Sequence, residues 1–114
     1  MNPTYDDPQP LTGVVQPPAD PERVKVLREA AALVTGDRQQ DYGPPAENFG
    51  RSADLLNIQF AHLLKPGAKF QPHDVAVLMI QMKLSRSVAS PKRDTFVDVA
   101  GYSALAAELS GPSE

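Results

Sequence analysis

Between Pro72 and Val88 apolar residues occupy most of a helical wheel, and this pattern restricts the fold more than any other stretch of the chain. Val75, Leu78 and Met82 make one arc, and Val77, Ile80, Leu84 and Val88 make a second. Lys83 and Arg86 stand between the arcs, while the solvent strip of Asp74, Gln81 and Ser85 is narrow. A helix apolar over so much of its circumference belongs in an interior, so both cations are expected to be half-buried. They then need anions, because an unpaired buried charge is prohibitively costly. Beyond the Ser90-Pro91 break, Asp94 reads as the N-cap of a helix running through Phe96, Val99, Tyr102, Leu105 and Leu109, and Asp98 shares its face. A turn centred near Ser90 sets Arg86 opposite Asp94 and Lys83 close to Asp98. Gly101 and its neighbouring alanines let this helix approach another closely.

The preceding half of the chain supplies two more helices. Asp20-Pro21-Glu22 reads as N-cap, first-turn proline and first-turn acid of a helix that stops at Gly36, with Val24, Leu27, Ala31 and Val34 as its stripe. Pro45 or Ala46 opens the next, striped by Phe49, Ala53, Leu56 and Phe60 and closed by Lys65-Pro66-Gly67. Phe70 is expected to plug the base of the bundle. His62 and His73 lack the spacing of metal ligands and read as surface or capping residues. The expected fold is therefore all-α, a four-helix up-down-up-down bundle over residues 20–111. Residues 1–19, with five prolines and few large apolar side chains, read as an extended or disordered arm.

Composition excludes several functions. The net charge of -3 argues against general nucleic-acid binding, which needs a basic field, and no apolar run is long enough to span a bilayer. The proline-rich acidic start is unlike a signal peptide, and the absence of cysteine removes disulfides and thiolate chemistry, which fits the cytoplasm. Aromatic residues are only 6%, so the core of so short a chain is thin and a homo-oligomer is expected.

In an up-down-up-down bundle the first and third connections emerge at one end. The first, Gly36 to Pro45, is dense in directed polar groups, and with the third it gathers Arg38, Asp41, Tyr42, Glu47, Asn48, Lys83, Arg86, Lys92, Arg93, Asp94 and Asp98 around one mouth. Arginine and lysine suit phosphate oxygens, while Tyr42 and Asn48 suit a base or ribose. Asp94, Asp98 and Glu47 are the candidate ligands for Mg2+, which is held through one or two carboxylates with water filling its shell. A phosphorylated, nucleotide-like molecule satisfies more of these groups than a sugar, lipid or peptide does.

The blocks Val34-Thr35-Gly36-Asp37-Arg38, Asp41-Tyr42-Gly43, Glu47-Asn48-Phe49, Asp74-Val75-Ala76 through Lys83 and Arg86, and Asp94 to Tyr102 resemble a small domain family of bacteriophages and prophages with no established function. More distantly, the Lys/Arg helix followed by an aspartate-rich helix is similar to phage nucleotide modification associated domains and to MazG-type nucleotide pyrophosphohydrolases. These resemblances imply nucleotide handling in the cytoplasm of an infected cell. The MazG type holds Mg2+ with acids spaced by three, whereas Glu47 has no acid three residues away and Asp94 and Asp98 are spaced by four. Three functions therefore stay open: capture of a nucleotide-like molecule, for example a host-defence signal, without cleavage; Mg2+-dependent pyrophosphohydrolysis; and a non-catalytic structural or interaction role.

Overall fold

The computed structural model describes residues 18–36, 42–90 and 92–111. Most of the expected arm lies outside these residues, as do Arg38, Asp41 and Pro91. Four α-helices and no strand are present among the described residues: α1 (Glu22–Thr35), α2 (Pro45–Gln59), α3 (Pro72–Arg86) and α4 (Arg93–Leu109).

Each helix begins and ends for a local reason. Pro21 and Pro44 are extended and lead into α1 and α2, with Glu22 and Glu47 in the first turns, where acids favour the exposed N–H groups. α1 stops at Gly36, where the chain leaves the helix in a conformation that suits glycine, since a Cβ there would come 2.8 Å from the Ala32 carbonyl oxygen. α3 is opened by a capping box: the Gln71 side chain accepts from the backbone at Asp74, and the Gln71 N–H donates to Asp74 Oδ2 at 2.8 Å. Four expected details differ. Asp20 accepts a 2.7 Å bond from Arg28 instead of capping α1, and α2 ends at Gln59 before a short 3-10 turn, Ala61–Leu63. Asp94 is in the first turn of α4, whose N-cap is Lys92. Arg86 is exposed without an ion-pair partner among the described residues, while Lys83 is half-buried as the wheel predicts.

The core is centred on α2 and α3. Phe49, Ala53, Val75 and Ala76 are buried together, and Leu56, Phe70, Tyr102, Leu105, Ala106 and Leu109 pack around them. Phe70 closes the base as expected, but its anchor is a residue the periodicity did not single out. Asn57 donates from Nδ2 to the Phe70 carbonyl at 3.1 Å and accepts from the Phe70 N–H at 2.6 Å. This pair of hydrogen bonds to one residue's backbone fixes the α2–α3 connection.

The helix directions correct the up-down-up-down expectation. Lys83 meets Asp98 across the α3–α4 turn, so this pair is antiparallel, and Asn57 near the end of α2 meets Phe70 just before α3 begins. Arg93 at the start of α4 meets Glu22 and Glu29, whereas Gly101, two turns further on, faces Ala30 and Val34. Residue numbers rise together, so α1 runs in the same sense as α4. α4 is the shared wall, packed by α1 on one side and by α3 and α2 on the others. Among the described residues α1 makes no packing contact with α2.

Candidate ligand-binding groove

That missing helix contact leaves a groove of about 460 Å3. Leu33 and Val34 of α1 form one side, and Asn48, Phe49 and Ser52 of α2 form the other. Val75 and Met79 of α3 and Asp98, Gly101, Tyr102 and Leu105 of α4 make the floor, and Tyr42, Gly43 and Pro45 form the lip. The lining is mostly apolar, with the polar groups at a few defined points, which is the usual constitution of a small-molecule site.

Aromatic surface is ordered there by packing. Phe49 and Tyr102 lie 6.4 Å apart between centroids, tilted by 31°, so Phe49 supports the ring of Tyr102 from within the core. Tyr42 remains exposed, its carbonyl accepting a 3.4 Å bond from Arg51 on α2. Arg51 is a positioning group that the sequence motifs did not suggest. Its position two turns into α2, facing the loop that precedes the helix, is the only signal the sequence offers.

Charge at the groove is concentrated in one pair. Lys83 Nζ lies 2.9 Å from Asp98 Oδ2, with side-chain exposures of 27% and 16%. Asp98 lines the groove, so its partner Lys83 stands at the edge. Arg93, expected at the same mouth, turns to α1: it bonds Glu22 through Nε and Glu29 through both terminal nitrogens at 2.6 Å. The hydrogen bonds from Arg93 hold the Glu29 carboxyl below its ordinary range, and Glu29 and then Glu22 raise the guanidinium in return.

The structure thus brings Tyr42, Asn48 and Asp98 to the groove and Lys83 to its edge. Glu47, Arg86, Lys92 and Asp94 are exposed and do not line it, and Arg93 is committed to α1. Among the described residues no three His, Cys, Asp or Glu side chains gather as a cation site, so Glu47, Asp94 and Asp98 are not brought together as expected. Asp94 and Asp98 share one helix face, but only Asp98 reaches the groove.

Residues 25–110 match the model of a domain of unknown function, DUF6378. The Gene 55 protein of Mycobacterium phage L5 is 36% identical over 92 residues, covering 80% of this chain and 56% of its own length. The Gene 55 protein of Mycobacterium phage D29 is 40% identical over 78 residues, covering 68% of this chain and 48% of its own. The chain therefore spans about half the length of the curated relatives it matches. No solved structure matches it significantly. These findings agree with the resemblance to a phage domain family and do not extend to the MazG or nucleotide modification families. No helix among the described residues is long and apolar enough to cross a membrane.

Proposed function

The chain belongs to the DUF6378 family of domains of unknown function, and we propose that it binds a phosphorylated, nucleotide-like small molecule in the groove between α1 and α2 without cleaving it. One observation carries the reading: an apolar groove floored by a supported tyrosine, with an amide on one wall and an ammonium at the edge. A planar heterocycle gains stacking and desolvation from Tyr102 and Tyr42. Asn48 offers a donor and an acceptor to its edge. Lys83 offers a point charge to phosphate at the rim, and Arg38, in the connection that follows α1, is the second cation the proposal calls on. Arg93 is paired with Glu22 and Glu29, and Arg86 and Lys92 do not line the groove.

Binding without turnover is the form we favour: among the described residues Glu47, Asp94 and Asp98 do not converge. Multi-metal phosphate chemistry needs carboxylates placed to hold two ions about 4 Å apart. For a protein with phage relatives, capture suits a nucleotide signal of host defence, encountered in the host cytoplasm.

Isothermal titration of the purified chain against nucleoside mono-, di- and triphosphates and cyclic dinucleotides, with and without Mg2+, tests the proposal. Saturable heat with at least one of them is expected, and the same nucleotide should be recovered intact after the protein is denatured. Asn48→Ala and Arg38→Ala are expected to weaken binding at least tenfold with little change in melting temperature. Recovery of cleaved product would instead select pyrophosphohydrolysis. Absence of heat across the panel removes the nucleotide reading.

A further inference from the structure

The second apolar arc of α3 is not buried within the chain. Val88 is 84% exposed, Leu84 44% and Val77 40%, and Phe96 of α4 is 52% exposed. Val77 and Leu84 are spaced by seven and share one stripe of α3, and Val88 follows in the turn just beyond the end of the helix. Phe96, Ser103 and Ala107 share another on α4 and are all exposed. With Lys83 opposite Asp98, and with the groove and α2 occupying the other side of the hairpin, both stripes come to one outer face. We propose that two copies of this chain pair through that face.

Three features select a second copy as the occupant. Neither stripe contains a charged residue, so the face offers nothing to nucleic acid or to an acidic or basic peptide. The relief is self-complementary: Leu84, Val88 and Phe96 are large at the turn end of the face, and Ser103 and Ala107 are small toward its other end. A twofold rotation lays the large end of each copy over the small end of the other, which is the requirement for an isologous interface. The size also fits. Helices of 15 and 17 residues side by side give a face about 24 Å long and about 20 Å wide. That footprint, on the order of 500 Å2 before side-chain relief is counted, approaches the roughly 600–1,000 Å2 that each partner contributes to a stable interface. The need is plain from the monomer, whose buried apolar residues among those described are only Ala30, Phe49, Ala53, Val75, Ala76 and Val97.

Light scattering of the full chain at micromolar concentration is expected to give twice the single-chain mass. Leu84→Glu and, separately, Ser103→Arg are expected to give single-chain mass, with helical circular dichroism unchanged. Ser103 is exposed and small, so its variant decides the matter if Leu84→Glu fails to fold. A wild-type chain that is monomeric throughout, or a dimer that survives Ser103→Arg, overturns the proposal. Nucleotide titration is independent of both variants, because neither residue lines the groove.

Discussion

Lys83 and Asp98 are each largely removed from water, and each is the other's ion-pair partner. Truncating one leaves the other with its desolvation uncompensated, a penalty that exceeds the modest net worth of the intact pair. Lys83→Met is therefore expected to lower the unfolding free energy by about 1–2 kcal/mol, short of the full buried-pair cost because both groups keep some solvent. Adding Asp98→Asn should restore part of that loss, and urea unfolding of the four proteins measures the coupling. A coupling near zero would mean that the two groups are adjacent but energetically independent. The contact of Arg93 with Glu29 is of another kind, exposed and readily screened. Since the folded Glu29 titrates below its ordinary value, its contribution is complete above that value and disappears as the pH falls through the lowered one. Arg93 stays protonated throughout. Glu29→Gln should thus flatten the acid limb of stability against pH while leaving the profile above pH ~6 parallel to wild type, as thermal melts across a pH series will register.

At the level of helices, Gly101 sets how near α1 comes to α4. A Cβ there would lie 3.4 Å from Val34 Cγ1 and 3.9 Å from the Ala30 carbonyl, ordinary contact distances. Gly101→Ala is therefore expected to stabilise by about 0.5–1 kcal/mol, from the conformational entropy that glycine loses inside a helix. Gly101→Leu should instead push α1 away and lower the melting temperature. The helices themselves were legible because apolar spacing, Pro45, Pro72 and Gly36 are local signals. The pairing of Lys83 with Asp98 was legible too, since a short turn fixes the register of an antiparallel hairpin. The direction of α1 was not. A connection of the nine residues 36–44 can span up to about 30 Å, too long to enforce reversal as a tight turn does. Arg93 turns to α1 for a related reason: a long exposed side chain reaches whichever neighbouring helix offers acids, and α1 was expected elsewhere. The full apolar circumference of α3 predicted an interior helix, but half of it faces outward in the single chain.

Across the whole molecule, these placements make α1 the least secured element. Among the described residues it packs against one helix, buries Ala30 alone and is tied at its start by solvent-exposed Arg93 contacts, whereas α2, α3 and α4 share the Phe49–Ala76 core. Segments with few buried contacts open by sub-global unfolding at lower cost than the core. Amides of Val26–Val34 are therefore expected to exchange with deuterium faster than those of Val75–Lys83, and Arg93→Ala should widen the difference. Because α1 is also a wall of the groove, a ligand seated there must stabilise the closed form by RT ln(1 + [L]/Kd), about 2.7 kcal/mol at a hundredfold excess over Kd. That energy slows only the openings which destroy the site. Exchange in α1 should consequently slow by up to about a hundredfold on saturation with a nucleotide that binds by titration, while the fastest fraying amides at Ser110 and Gly111 stay unchanged. If such a nucleotide bound without protecting Leu33 and Val34, its site would have to lie away from the groove, and the opening between α1 and α2 would lose its claim to it.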